Sequence, residues 1–420
     1  MPSRAATTIA LLAASAVLPL LIAAKSWAAN SIDGQNFALI ERGRYLATAA
    51  DCSGCHTIPE RDESYAGGRE IETPFGNITS PNITPDRETG IGNYTDDAFD
   101  AAVRKGIRSD GKRLYPAMPY TAYTKMSRDD VLAIRAFLNT VPAVHTEYAR
   151  SRLTFPLNIR TGMRAWNVLY FKEGEFRTDP QKSPEWNRGA FLVEGPGHCG
   201  ACHTPKSMLG GDKSSQYLHG SYLQGWFAPD ITNDQRRGLG RWSADDVVAY
   251  LKTGHNRFTA ATGPMAEEVT LSSSQMTNDD LKAIAAYLKS LPGRDDTPAP
   301  LPASDPMMTA GQAIYRDTCS ACHTLDGKGA SHLFPSLASS PSVHSDDPTT
   351  LIRIVLRGAR SVATKEEPTS PAMPPFGWQL NDAQVAAVLT YVRNSWGGAA
   401  PPVAAGDIQH ARKDLQPRSD

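Results

Sequence analysis

Three Cys-x-x-Cys-His motifs constrain this 420-residue chain more than any other feature of its sequence. Together they contain all six of its cysteines, so none is left for another purpose. Two cysteines separated by two residues can form thioethers with the two vinyl groups along one edge of a porphyrin, and the following histidine can then bind the iron. The motifs therefore predict three covalently bound haem c groups. Their residues are Cys52, Cys55 and His56; Cys199, Cys202 and His203; and Cys319, Cys322 and His323.

Disulfides, zinc and a redox-active dithiol are other uses of paired cysteines, and each fits the pattern less well. In a chain exported to an oxidising compartment disulfides are the first expectation, but these cysteines occur only within the motifs. Structural zinc takes four ligands, usually from two Cys-x-x-Cys pairs, so three pairs would leave one without a partner. A thioredoxin-like dithiol needs a strand–helix–strand frame, whereas the flanking segments predict helices and loops.

The N-terminal segment predicts export. Arg4 supplies a positive charge near the N-terminus, and the stretch Thr7–Ala24 consists only of apolar or small residues. Ser26–Ala28 offers small residues where a signal peptidase cleaves, so residues 1–28 are predicted to be a signal peptide. An uncleaved membrane anchor is the alternative, which Pro19 within the apolar run disfavours. The expected location is the periplasmic side of the inner membrane, with peripheral association.

The charge balance excludes one large class of function. The chain has 43 lysines and arginines against 44 aspartates and glutamates, a formal net charge of −1. No basic stripe is available to neutralise phosphates, so nucleic acid is not an expected partner.

The three motifs lie in three copies of one repeated unit. Each copy opens with a short helix before the cysteines and closes with an amphipathic helix. Each closing helix is predicted to begin at an N-cap residue, Ser127, Thr277 or Asn381, with an acid or amide three positions later. Its apolar residues recur at helical spacing. They are Val131, Ile134 and Leu138; Leu281, Ile284 and Leu288; and Val385, Val388 and Val392.

This pattern predicts a mainly α fold of three tandem class I cytochrome c-like domains, each a small helical haem-binding unit. Copies one and two match closely between their helices, as Asn82–Thr84 and Asp230–Thr232 show, whereas copy three lacks this insert. The predicted domains span 35–145, 185–292 and 307–400. An inter-domain segment at 146–184, a proline-rich linker at 293–306 and a C-terminal tail at 401–420 complete the chain.

A methionine in each copy is a candidate for the second axial ligand of the haem iron. Met118, Met265 and Met373 each lie beside a proline, between the haem motif and the closing helix. Met118 and Met265 follow their motif histidines at the same interval, and Met373 follows at a shorter one, as the missing insert requires. Thioether sulfur is a soft ligand that favours ferrous iron. Two filled axial positions would leave no open iron for oxygen or peroxide, which predicts electron transfer and no catalytic site in this chain.

Histidine is the alternative axial ligand. His219 or His255 would serve copy two and His332 or His344 copy three, while copy one offers only His145, beyond its closing helix. A repeat is expected to ligate alike in all copies, which favours methionine.

Over essentially its whole mature length the sequence resembles the three-haem cytochrome c subunits of membrane-associated periplasmic dehydrogenases. The alcohol, aldehyde, gluconate, sorbitol and fructose dehydrogenases have such subunits. The resemblance implies a catalytic partner subunit, which is a quinoprotein, a flavoprotein or a molybdenum enzyme. It also implies electron delivery to ubiquinone or another respiratory acceptor. Beyond the haem motifs, the matching stretches are Asn82–Asp86, Leu114–Tyr120, Gly195–Thr204 and Gly238–Ser243.

Two other functions stay open at this point. One is an electron carrier for a different respiratory complex or a terminal oxidase. The other is a haem peroxidase. A peroxidase needs one haem with an open or displaceable axial position.

The segment joining copies one and two contains an apolar cluster that the repeat does not require. Between Phe155 and Phe171 nine apolar residues crowd together, interrupted by Arg160 and Arg164. One interpretation is a surface that contacts the membrane or the partner, held there by Trp166 and Phe171. The other is a strap whose side chains pack between the two domains.

Overall fold

The computed structural model describes residues 36–59, 61–294, 296 and 298–415. The predicted signal peptide at 1–28 lies outside these residues. The described chain is mainly helical with three small antiparallel sheets, which confirms the predicted fold class. Within the described ranges, no helix has both the length and the apolar character needed to cross a bilayer.

The first copy of the repeat forms a helical domain with one small sheet. The opening helix α1 packs across the closing helix α5, and the short helix α2 carries the first haem motif. The elements are α1 (Phe37–Ala49), α2 (Cys52–His56), β1 (Glu70–Thr73), β2 (Gly76–Thr79), α3 (Asp96–Lys105), α4 (Tyr120–Tyr123) and α5 (Arg128–Leu138).

The connecting segment adds a third strand to the first domain before it forms a helix. Strand β3 (Arg152–Leu153) pairs antiparallel with β2, with Leu153 opposite Gly76. A 3₁₀ turn at Arg160–Gly162 then leads into helix α6 (Met163–Tyr170).

The second domain repeats the order of the first. Helices α7 and α11 pair as α1 and α5 do, and the β4–β5 hairpin aligns His219 with Asp230. The elements are α7 (Pro184–Glu194), α8 (Gly200–His203), β4 (His219–Leu223), β5 (Trp226–Asp230), α9 (Ala244–Thr253), α10 (Pro264–Leu271) and α11 (Asn278–Ser290), with 3₁₀ turns at Ser214–Gln216 and Ser273–Gln275.

The third domain keeps the helix pair but has no hairpin between its haem motif and the next helix. A π-helical turn, Tyr315–Cys319, leads directly into its haem motif. The elements are α12 (Pro306–Ile314), α13 (Ser320–His323), α14 (Pro341–His344), α15 (Thr349–Arg357), β6 (Ala359–Arg360), β7 (Ala372–Met373), α16 (Asp382–Arg393) and α17 (Ala405–Leu415).

One glycine in each opening helix allows the close helix crossing that defines the domain. A β-carbon at Gly43 would overlap the carbonyl oxygen of Ala133 in α5. The same relation holds between Gly189 and Ala283 of α11, and between Gly311 and Ala387 of α16. The backbones therefore meet directly at all three crossings, and a side chain there would push the helices apart.

The predicted closing helices and their N-caps are confirmed. The side chains of Ser127, Thr277 and Asn381 each accept a hydrogen bond from the backbone N–H three residues later. All nine predicted apolar positions of these helices are buried. In α11 the carboxylate of Asp280 also accepts hydrogen bonds from Arg188 and, across the domain boundary, from the Tyr45 hydroxyl at 2.5 Å.

Polar contacts join the second domain to the third. Nη1 of Arg236 donates to the carbonyl oxygen of His344 at 2.7 Å, and Nη1 of Arg237 donates to Asp346 at 2.7 Å. The backbone N–H of Val362 donates to the carbonyl of Ala261 at 3.0 Å, so a loop of the third domain is hydrogen-bonded to the loop before Met265.

Trp166 and Phe171 lie between the two domains that their segment connects. Their rings contact that of Tyr120 with centroid distances of 6.5 and 5.2 Å, and Nε1 of Trp166 donates to the carbonyl oxygen of Leu209 at 2.9 Å. Both side chains are partly buried. For these two residues the structure supports the strap interpretation and not the membrane interpretation.

Part of the predicted C-terminal tail belongs to the core of the third domain. Within residues 401–420, α17 buries Ile408 and Leu415 against α15 and α16. Nη2 of Arg412 donates to the carbonyl oxygen of Leu380 at 2.6 Å, which fixes the helix beside the start of α16.

Candidate haem sites

Each motif histidine is held by the carbonyl oxygen of a proline. Nδ1 of His56 lies 2.7 Å from the carbonyl of Pro81, and Nδ1 of His203 lies 2.7 Å from that of Pro229. In the third domain the distance from Nδ1 of His323 to the Pro335 carbonyl is 3.1 Å. Three sites of different sequence thus share one arrangement.

This arrangement sets the chemical form of each histidine. A carbonyl can only accept, so Nδ1 carries the proton and the lone pair is left on Nε2, the atom that would face a metal. Burial lowers the pKa of His56, His203 and His323, partly opposed by the proline hydrogen bond. Each imidazole is therefore neutral and oriented, as an iron ligand must be.

The small sheets position these prolines. Strand β2 ends at Thr79, two residues before Pro81, and β5 runs through Pro229 to Asp230. In the third domain a single bridge between Ala330 and Phe334 takes the place of the hairpin just before Pro335. Copy three lacks the insert, but this bridge still places a proline carbonyl beside the motif histidine.

In the chain without attached haem, burial favours the thiol form of five of the motif cysteines. It raises the pKa of Cys52, Cys55 and Cys199 to about 12, and that of Cys202 and Cys319 to about 11. None of the six cysteines forms a disulfide. A zinc site would require thiolates, whereas thioether formation adds an S–H group across a vinyl double bond.

The three candidate methionines occupy different local structures. Met118 follows Tyr115 in a tight turn, and both Met118 and Cys52 pack against the core of the first domain. Met265 lies in the first turn of α10 and contacts the cluster of Ala261, Val269 and Val362.

Met373 ends strand β7, where it pairs with Ala359. It too lies between the haem motif and the closing helix of its domain. Methionine ligation at all three positions stays a prediction.

The alternative histidines are engaged elsewhere through one ring nitrogen. Nδ1 of His219 lies 2.7 Å from Asp230, next to the proline that holds His203. Nε2 of His344 lies 3.0 Å from the Ala338 carbonyl. The others have an acceptor or a carboxylate nearby: His145 near Asp86, His255 near the Thr253 carbonyl, and His332 near Glu367.

One buried N–H group of the second domain fits a bound haem. Nε1 of Trp242 is buried and has no hydrogen-bond partner among the described residues. A buried donor without an acceptor costs about 1–3 kcal/mol, and haem propionates are carboxylate acceptors. The residues present are therefore compatible with haem at this site.

The first and second sites meet at the domain boundary. The guanidinium of Arg69 donates both to the carbonyl oxygen of Gly54, inside the first motif, and to the carboxylate of Glu267 in α10. Cys202 of the second motif contributes to the raised pKa of Cys55, although burial contributes more. The two attachment motifs are thus neighbours.

The prolines and Arg69 are site residues that the haem motifs alone do not predict. A signal for the prolines was available, since Pro81 and Pro229 follow their motif histidines at nearly equal intervals and directly precede the matched Asn82 and Asp230. Arg69 has no such signal, because its partner Glu267 lies in a different domain, far along the chain.

Comparison with known proteins decides the family. A cytochrome c family model matches the chain three times, over residues 40–142, 187–292 and 308–396. The chain belongs to the cytochrome c family. Each matched region contains one Cys-x-x-Cys-His motif, so this cytochrome carries three covalently bound haem c groups.

The similarity to other proteins extends over almost the whole cytochrome. A gluconate 2-dehydrogenase cytochrome c subunit from Pantoea cypripedii is 42% identical, over 95% of this chain and 95% of its own length. The cytochrome c subunit of a quinone alcohol dehydrogenase from Gluconobacter oxydans is 41% identical, over 95% and 87%. The fructose dehydrogenase cytochrome subunit from Gluconobacter japonicus is 37% identical, over 89% and 82%. The resemblance seen in the motifs is confirmed.

Proposed function

We propose that this cytochrome is the electron-transfer subunit of a periplasmic, membrane-associated dehydrogenase. It would pass electrons from a catalytic subunit to ubiquinone or another respiratory acceptor. When bound, haem iron alternates between ferric and ferrous states and so carries one electron at each site. The chain's own residues hold and orient the three sites.

The observation that carries this proposal is the contact of the second site with both neighbours. Arg69 of the first domain bonds to Glu267, two residues after Met265. On the other side, Val362 of the third domain bonds to Ala261, four residues before Met265. The candidate ligand segment of the middle domain is therefore in contact with the first and third domains, as a relay requires.

The similar proteins support the same assignment. All three are named as cytochrome subunits of dehydrogenases, and one of those dehydrogenases is named for a quinone. This chain spans at least 82% of each, so the similarity concerns whole subunits. A catalytic dehydrogenase subunit is the proposed partner, and the proposed location is the periplasmic face of the inner membrane.

The proposed roles of individual residues follow the repeat. The six motif cysteines form the thioethers, within domains at 35–145, 185–292 and 307–400. The proximal ligands would be His56, His203 and His323, and the opposite ligands Met118, Met265 and Met373.

Co-purification tests the proposal. The tagged holoprotein, isolated in mild detergent, is expected to bring a dehydrogenase subunit with it, and the substrate of that enzyme should reduce the haems. A control carrying Cys319→Ala should lose one haem of three and keep the others. Isolation without any dehydrogenase, or a high-spin band in the oxidised spectrum that responds to peroxide, would contradict the assignment.

A further inference from the structure

Exposed apolar side chains cluster beside the segment that joins the first two domains. Of the twelve large apolar side chains exposed among the described residues, seven lie here. The most exposed are Met208 at 95%, Val168 at 87% and Phe155 at 79%. The seven, together called the connector surface, are Phe155, Leu157, Ile159, Val168, Leu169, Met208 and Leu209.

Two hydrogen bonds and one ring contact link the segments that carry the connector surface. Trp166 of α6 donates to the Leu209 carbonyl at 2.9 Å, which ties the helix to the 208–209 loop. The backbone N–H of Thr154 donates to the carbonyl of Phe75 at 3.0 Å. The Phe75 ring lies beside Gly210, so residue 155 and the 208–209 loop meet around the same hairpin tip.

Helix α6 presents two of its large apolar residues, Val168 and Leu169, to the outside. Met163 and Asn167 are its buried residues, while Arg164, Val168 and Leu169 are exposed. A surface helix normally shows the opposite arrangement, with polar residues on the outer face. Exposed apolar patches of this kind are typical of binding surfaces.

The charge of this region favours an anionic occupant. The segment 148–172 includes five of the chain's lysines and arginines and none of its aspartates and glutamates. Arg150, Arg164 and Lys172 are exposed within this range. Apolar side chains interspersed with basic ones are what the interface of a bilayer with acidic headgroups accommodates.

We propose that the connector surface binds the surface of an anionic lipid bilayer. The apolar side chains enter the headgroup–acyl boundary, and the basic side chains contact lipid phosphates. This inference deepens the proposed function, since it identifies how the cytochrome stays beside a membrane acceptor. Trp166 and Phe171 support the surface from behind and do not enter the lipid.

Vesicle binding by the holoprotein tests the inference. The wild-type protein is expected to bind vesicles of phosphatidylglycerol and phosphatidylethanolamine more tightly than vesicles of phosphatidylcholine alone, and less tightly as salt rises. The double variant Val168→Ser/Leu169→Ser should lose on the order of tenfold in partition coefficient. The matched control Phe37→Ser/Tyr222→Ser changes two exposed apolar residues elsewhere and should bind as wild type.

A second pair of variants separates the apolar and basic contributions. Arg164→Gln/Lys172→Gln should weaken binding to phosphatidylglycerol vesicles and leave binding to phosphatidylcholine vesicles unchanged. Met208→Ser/Leu209→Ser alters the same surface from a different loop. It tests the apolar contribution to binding even if Val168→Ser/Leu169→Ser loses haem.

Two results would overturn the inference. One is vesicle binding as tight as that of the wild type in both serine variants. The other is a wild-type protein that binds neither kind of vesicle. In detergent, the serine variants should still be reduced by the co-purified dehydrogenase at the wild-type rate. Vesicle binding without reduction by any dehydrogenase would refute the proposed function and leave the lipid surface standing.

Discussion

Arg69 and Glu267 form an ion pair across the boundary between the first and second domains. Nη2 of Arg69 donates to Oε2 of Glu267 at 2.8 Å, and the side chains are 25% and 34% exposed. The same guanidinium reaches the Gly54 carbonyl inside the first haem motif. One positive charge is therefore shared between two neighbouring haem sites.

Replacing Arg69 should lower the reduction potentials of the first and second haems. A nearby positive charge favours the reduced state of the iron, so Arg69→Gln should shift these potentials down by tens of millivolts. The third potential should stay unchanged, and spectroelectrochemical titration measures all three. Arg152→Gln is the matched control, because it removes an exposed ion pair with Glu70 from the same hairpin. Equal shifts in the two variants would refute a specific role for Arg69.

Exchanging a candidate axial methionine for histidine should lower one potential at a time. For Met118→His, Met265→His and Met373→His, the expected drop is on the order of 0.1–0.3 V, part of the ≈ 0.8 V range that axial ligands cover. The near-infrared sulfur–iron band should lose about one third of its intensity in each variant. Met208→His, at an exposed position, should change neither quantity. A band of full strength in any single variant would show that its methionine is not a ligand.

A methyl group at a helix crossing should destabilise its domain. The added β-carbon in Gly189→Ala would meet the Ala283 carbonyl, at an expected cost of about 1–3 kcal/mol in unfolding free energy. Gly406→Ala is the control, since nothing lies within 4 Å of its β-carbon position and alanine favours a helix. Denaturant titration of the holoproteins compares them, and equal stabilities would mean that the helices separate without cost.

Asp51 gives the first domain a dependence on pH. Burial, with smaller contributions from the carboxylates of Glu268 and Glu267, raises the pKa of Asp51 to about 8, while the Gly54 N–H and Arg69 oppose the rise. An unfolded aspartate has a pKa of about 4. Between these values the folded chain binds the extra proton, so stability should fall as pH rises from about 4 to about 8.

The expected slope from this group is at most about 1.4 kcal/mol per pH unit. Asp51→Asn should remove that contribution and make the protein more stable than wild type near the upper end of the range. Asp62→Asn, at an exposed position, should keep the wild-type slope. Unfolding free energies measured at several pH values test this expectation. Parallel curves for all three proteins would exclude Asp51 as the cause of the pH dependence.

The local pattern of the sequence was enough to predict the helices that frame each site. Ser127 and the spacing of Val131, Ile134 and Leu138 fix the start and the buried face of α5 without reference to any distant residue. Local spacing predicts the positions of the motif histidines equally well, since each directly follows the second cysteine of its motif. Such features depend on contacts within one or two helical turns, which a sequence displays directly.

Contacts between distant residues could not be predicted in this way. The Tyr45 hydroxyl reaches Asp280 over 235 positions, and nothing near Tyr45 indicates a partner in another domain. The direction of Trp166 was likewise ambiguous, because an aromatic residue in an apolar run suits a membrane and a domain boundary equally. The contacts of Trp166 with Tyr120 and Leu209 resolve it.

The last helix of the described chain has a consequence for the order of folding. An exported chain crosses the membrane from its N-terminus, so the first two domains can form while the third is still incomplete. Ile408 and Leu415 belong to the core that contains Tyr315, four residues ahead of Cys319. The core of the third domain is complete only when residue 415 has emerged, so we expect the third haem site to be the last to form.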